Sequence, residues 1–266
     1  MGTSNRGDSW APTALCWHYC SAHFEEQRVQ VVAADGSSCE LTMTWAMGVL
    51  VDGDWEVLGA WSGAAVGSAF WKDVWEEFHS RGVDKISLVC ASDPDARALC
   101  AAVKVLPPFR RILGESHVSA NSSVGMLRAD ARRAVRETSG FRATRIALKR
   151  LLVNARVGGA AAVSPDWSEA LESLRPFYAL RPHRRALVRA GDEYLEQLGC
   201  SLSRAVRRHG PFADLAAAVS FVAQTLSRDE LRLKHAKLRK FARPALRPVG
   251  ADVTDRALLN PGRGGC

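Results

Sequence analysis

The chain has 266 residues, 47% of them hydrophobic and 24% charged, with a formal net charge of +8 and a pI near 9.4. This is ordinary globular material, long enough for one large domain or a domain carrying an inserted subdomain. It lacks the uninterrupted run of about 18 apolar residues that a membrane span needs, so no membrane association is expected, and the basic balance favours a polyanionic partner.

Met1 to Ser9 is polar and no apolar stretch follows it, so no secretory signal is read there. Seven cysteines at irregular spacings (16, 20, 39, 90, 100, 200 and 266) form no disulfide framework and suit a reduced, cytoplasmic compartment. "CWHYCSAH" over 16–23 gathers Cys16, His18, Cys20 and His23. A zinc site is one reading, but the spacing matches no standard ligand set.

The elements follow in chain order. Val29–Val32, the Asp35-Gly36 turn signal and Glu40–Leu50 read as a hairpin. Asp52-Gly53 and Trp55–Trp61 add a third strand and make a meander. Ser68–Ser80 places Phe70, Trp71, Val74, Trp75 and Phe78 on one helical face. "RGVDKISLVCASD" returns to the sheet as a fourth strand through a crossover, which implies parallel pairing. Pro94–Val105 reads as a helix, Phe109–Leu113 as a fifth strand, and the chain from Asn121 onward as mostly helical. Phe241–Cys266 has no apolar period and reads as a disordered tail.

Asp93 is the most informative single residue. An acid at the carboxyl end of a buried strand is where α/β proteins hold metals and ligands. Followed by Pro94, it also suits the cap of a helix with proline in its first turn. Basic residues are unevenly spread: Arg128, Arg132, Arg133, Arg136, Arg142, Arg145, Lys149, Arg150 and Arg156 form one stretch. Arg204, Arg207, Arg208, Lys234, Lys237, Arg239 and Lys240 form another. Both fit phosphate neutralisation, and both fit solvated helix faces.

Three antiparallel strands, a helix, then further strands among helices is the order of an α/β, ribonuclease-H-like fold. It comprises a mixed sheet of antiparallel meander plus parallel strands, a helical insertion and a helical C-terminal part. "MGVLVDGDWEVLG" (47–59), "SAFWKDVWEEFHSRGV" (68–83), Ser92-Asp93-Pro94 and "GDEYLEQLGCSLSRAVRRHGPFADLAAAVSFV" (191–222) together resemble the Mutator-type bacterial transposases. Arg207, Arg208, Gly210 and Phe212 stand where that family has basic residues and a Gly-x-Phe motif. The likeness runs over roughly residues 24 to 227.

The resemblance implies DNA transposition by three carboxylates, Glu26, Asp93 and Glu196, holding Mg²⁺ or Mn²⁺. Glu26, beside Glu25, stands where the family has aspartate. Glu196 is placed by counting back from Gly210, and counting forward from Arg189 gives Leu195. The family's threonines and asparagine are replaced by Gly191, Asp192 and Glu193. His117 and Asn121 fall at the spacing of a family Cys-x-x-His and Arg-Asn pair, with Gly114 and Ala120 in place of the cysteine and arginine. The alternative reading is a non-catalytic DNA-binding remnant. The partners implied are transposon ends and target DNA, with a homo-oligomer as the active form, placing the protein at the nucleoid. The implied layout is a leader over 1–23 and a sheet core over 24–125. A helical insertion follows over 126–185, then C-terminal helices over 186–240 and a tail over 241–266. Full-length relatives carry a DNA-binding region before the core, so the chain reads as a shortened copy.

Overall fold

The computed structural model describes residues 14–33, 36–63, 67–91, 95–96, 104–106, 123–157, 172 and 174–241. Its elements are β1 (His18–Tyr19), β2 (Ser21–Val32), β3 (Ser38–Val49), β4 (Trp55–Ser62), α1 (Gly67–Ser80), β5 (Lys85–Ile86), β6 (Leu88–Cys90), β7 (Lys104–Leu106), α2 (Ser123–Glu137), α3 (Phe141–Val157), α4 (Arg175–Tyr178), α5 (Pro182–His209) and α6 (Leu215–Phe241). The chain divides into two compact units, Met1–Glu230 and Leu231–Cys266. The arrangement below is that of the first. Of the second, the described part is the helical end of α6.

The main sheet has five strands in the order β4-β3-β2-β6-β7. β2 and β3 pair antiparallel along their full length, from Ser21↔Val49 to Val32↔Ser38. The hairpin expected at Asp35-Gly36 is thus present, with β2 beginning eight residues earlier than its apolar run suggested. The early part of β2 alternates less cleanly because both of its faces are covered. β6 joins β2 in parallel through Ala22↔Val89 and His23↔Cys90, as the crossover through α1 requires.

β7 pairs with β6 in parallel at Lys104–Leu106, where the sequence predicts the end of a helix. Three residues of strand carry no measurable period, so tertiary pairing decides them. The strand read at 109–113 and most of the helix read at 94–105 lie outside the described residues, as does the tail beyond Phe241. β1 and β5 form a separate two-stranded parallel pair. The Asp52-Gly53 turn closes with Leu50 donating to Asp54 O at 2.7 Å.

α1 covers one face of the sheet. Trp71, Val74 and Phe78 are buried, with Phe70 and Trp75 half-buried against the same cluster. Phe24 of β2 meets Trp71 edge-on at 4.8 Å. Trp61 donates to Glu77 at 2.6 Å, tying β4 to the helix at its polar rim.

α5 covers the opposite face. A Cβ at Gly191 would lie 2.4 Å from His23 Nε2 and 2.8 Å from Val49 Cγ2; only glycine lets the helix sit this close. Further along, Ser203 donates to Gln27 Oε1 at 2.8 Å. α5 ends at Gly210, whose φ of 79° is a left-handed turn that suits glycine. The turn delivers Phe212 to β2: Phe212 donates to Gln30 O and Val32 donates to Phe212 O, both at 2.8 Å. Phe212 is buried and stacks on His209 at 4.2 Å. The Gly-x-Phe motif is therefore a turn and a one-residue strand.

Candidate functional site

α5 carries Glu196 across β2, with Gly191, Leu195, Leu198 and Leu202 on its buried side. Gly191 sits on His23 and Ser203 on Gln27, so Glu25, halfway between them on the strand, lies level with Glu196–Leu198, halfway between them on the helix. Successive strand residues face opposite ways. His23, Glu25 and Gln27 therefore face α5, whereas Phe24 and Glu26 face the α1 side. Glu26 pairs with Thr44 in the ladder and is half-buried. The structure does not turn Glu26 toward Glu196; the β2 acid on that face is Glu25, one oxygen of which is shielded from solvent. Counting spacings cannot separate two adjacent glutamates. The alternation at Val29, Gln30 and Val31, with the valines buried and Gln30 exposed, carried back along the strand puts Glu25 on the valines' face.

Asp93 lies outside the described residues, as do His117 and Asn121. The strand leading to Asp93 is described: β6 is buried, and Cys90 stands beside His23. Burial pushes the Cys90 thiol well up, with the Asp192 carboxylate and then Cys20 adding to the shift. Burial holds His23 down at about 4, so this imidazole is neutral at physiological pH. Its Nε2 is 3.0 Å from Ser21 Oγ.

Glu196 is 30% exposed at its side chain and meets two arginines of α2. Arg136 Nη2 donates to Oε2 at 2.8 Å, and Arg132 Nη1 lies 3.5 Å from Oε1. Arg136 also reaches Oδ2 of the buried Asp192 at 3.8 Å. Arg189 of α5 completes the joint, donating to Thr138 O at 2.9 Å. The acids of α5 and the bases of α2 are thus a packed ion-pair layer. The sequence leaves Arg132 and Arg136 in a stretch that fits either phosphate neutralisation or a solvated helix face, and gives Asp192 no partner; the structure places both arginines in a helix interface. The available signal was complementary: Arg132/Arg136 and Asp192/Glu196 are both i, i+4 pairs, each on one helix face.

The basic stretch divides accordingly. Arg133 turns outward beside Asp130 at 2.6 Å, and Arg142, Arg145, Lys149 and Arg150 of α3 are all exposed. So are Arg204, Arg207 and Arg208 near the end of α5. The side chains of Arg128, Arg156, Lys237, Arg239 and Lys240 are not among those described.

A divalent cation of the Mg²⁺ type takes oxygen ligands in near-octahedral geometry. Among the described residues no group of three or more His, Cys, Asp or Glu is placed to hold a metal. Glu196 has both oxygens turned to guanidinium groups. The described residues, as arranged, do not fit the cation. The cysteines and histidines at 16–23 do not gather either: Cys16 is exposed, Cys20 and His23 are buried, and His18 is held at Ser87 Oγ, 3.1 Å away.

A mixed antiparallel and parallel sheet crossed by an acid-bearing helix, with exposed cationic helices beside it, defines a protein of the mixed α/β class. Sequence comparison gives the family: the family model described as "Transposase, Mutator family" matches residues 8–232, and the chain belongs to that family. A search of curated protein sequences found no match. No helix among the described residues is long and apolar enough to cross a membrane.

Proposed function

We propose that this chain serves DNA transposition as a ribonuclease-H-like core, gripping duplex DNA through α3 and the end of α5. Strand cutting belongs where β6 ends beside β2 under α5, with Asp93, Glu196 and a β2 glutamate as its acids. Glu25 shares the α5 face, which makes it a better partner for Glu196 than Glu26. The observation that carries this reading is the path of α5, which sets Glu196 level with Glu25 on the strand next to the one leading to Asp93. The strand order β4-β3-β2-β6-β7, an antiparallel meander extended by parallel strands, supports the ribonuclease-H-like assignment.

The exposed arginines and lysine of α3 would neutralise phosphates without reading bases. Transposon ends and target DNA are the partners this implies, and pairing of two ends would call on a homo-oligomer. A second reading, DNA binding without cutting, is favoured by the arginines already seated on Glu196.

Duplex affinity measured against salt, together with strand nicking in Mn²⁺ by the parent and by Asp93→Ala, tests both readings. Steeply salt-dependent binding is expected. Nicking that disappears in Asp93→Ala supports the cutting site; binding without nicking supports the second reading. Undetectable or salt-insensitive binding defeats both.

A further inference from the structure

The α2–α5 ion-pair layer bears directly on what the acids of α5 hold. Arg136 Nη2 serves two carboxylates at once, Glu196 at 2.8 Å and Asp192 at 3.8 Å. Arg132 takes the other oxygen of Glu196 at 3.5 Å. Two cations thus face two anions, and the layer is neutral without any added ion. The helix that carries the guanidiniums is itself anchored. Arg132 and Arg136 lie one turn apart on α2, whose core residues Ala131 and Val135 are buried against Leu148, Phe177 and Val188. The C-terminal end of α2 is clamped by Arg189, which donates to Val135 O and Thr138 O at 3.3 and 2.9 Å, and by Arg185, which donates to Ser139 O at 2.8 Å. A cation arriving at Glu196 would have to displace a guanidinium whose backbone cannot easily withdraw, and would meet its charge at close range.

We propose that Arg132 and Arg136 are the resident counterions of the α5 acids, and that they keep divalent cations off Glu196 and Asp192 in the isolated protein. This rests on reading Glu196 as the family's third carboxylate. It adds that the position is filled from within the chain, so any metal-dependent step first requires α2 to release it.

The test is Mn²⁺ binding to the DNA-free full chain, followed by electron paramagnetic resonance and by thermal unfolding. It compares the parent, Glu196→Gln, Arg132→Gln, Arg132→Gln/Arg136→Gln, and the same pair with Glu196→Gln added. Millimolar Mn²⁺ should leave the parent's midpoint unmoved and should show no saturable site involving Glu196. The double variant should gain saturable binding and a Mn²⁺-dependent rise in midpoint, and the added Glu196→Gln should remove both. Saturable binding by the parent that Glu196→Gln alone abolishes overturns the proposal. So does a folded double variant that gains no Mn²⁺ site. Should the double variant not fold, Arg132→Gln alone is expected to bind Mn²⁺ more tightly than the parent, and equal binding overturns the proposal. Because no readout involves DNA, failure here is distinct from failure of the transposition reading, which would appear as lost duplex binding.

Discussion

Gly191→Ala is the sharpest test of how α5 sits on the sheet. The added methyl would stand 2.4 Å from His23 Nε2 and 2.8 Å from Val49 Cγ2, against an ordinary carbon contact of about 3.5–4 Å. Both neighbours are buried, so neither side chain can swing into solvent. Overpacking of this kind costs about 1–3 kcal/mol, and two contacts this short argue for the upper end. Replacing glycine inside a helix returns about 1 kcal/mol of propensity. The expected net loss is about 2 kcal/mol, or about 4–8 °C in melting temperature for a domain of this size. Urea unfolding followed by far-ultraviolet dichroism measures it. His23→Ala in the same chain should relieve most of the added cost, leaving a coupling of about 1 kcal/mol or more between the two positions. Gly191→Ala that is neutral or stabilising, with no coupling to His23, would refute the close approach and with it the level of Glu196 against Glu25.

Trp71→Ala should cost about 3–5 kcal/mol, since the indole is fully buried against Phe24 and Phe78; an unfolding loss below about 1 kcal/mol would contradict that packing. His23 is held neutral by burial with its pKa at about 4, below its ordinary 6.5, so the unfolded chain binds the extra proton. Stability should accordingly be full above about pH 6.5 and fall as pH drops toward 4, by an amount on the order of 3 kcal/mol. The slope of stability against pH over that window should flatten in His23→Asn. Exchanging Arg142, Arg145 and Lys149 for alanine should weaken duplex binding uniformly across sequences. It should also reduce the slope of log affinity against log salt by about 2–3; an unchanged slope would place the duplex elsewhere.

The parts of the fold that span many residues were legible from sequence because their patterns repeat. The β2–β3 hairpin announces itself through alternation and Asp35-Gly36, and α1 through five apolar residues on one face. Short pieces escaped: β7 at Lys104–Leu106 and the β1–β5 pair are two or three residues each, and only a neighbouring strand defines them. Local pattern also could not tell an inward arginine from an outward one. Arg132 and Arg142 look alike in sequence, yet one meets Glu196 across a helix interface and the other faces solvent. Along a helix, an error of one residue rotates the side chain by about 100°, so Leu195 and Glu196 could be separated by the buried stripe. Along β2 a shift of one residue reverses the face outright, so spacing alone does not say which face a carboxylate at 25 or 26 takes.

The short contact made by Phe212 has a consequence for handling the protein. Among the described residues β6 pairs with β2 at Ala22 and His23, and beyond them β2 pairs with no described residues but those of β3 and Phe212. The run Val29-Gln-Val-Val32 is rich in β-branched residues, which makes an open margin there adhesive toward other chains. Phe212 occupies part of it, taking both a donor and an acceptor of β2. Fragments that stop before Gly210 would retain the strands and lose this cover. They should self-associate in solution even where their secondary structure forms, whereas fragments extending through α6 should stay dispersed.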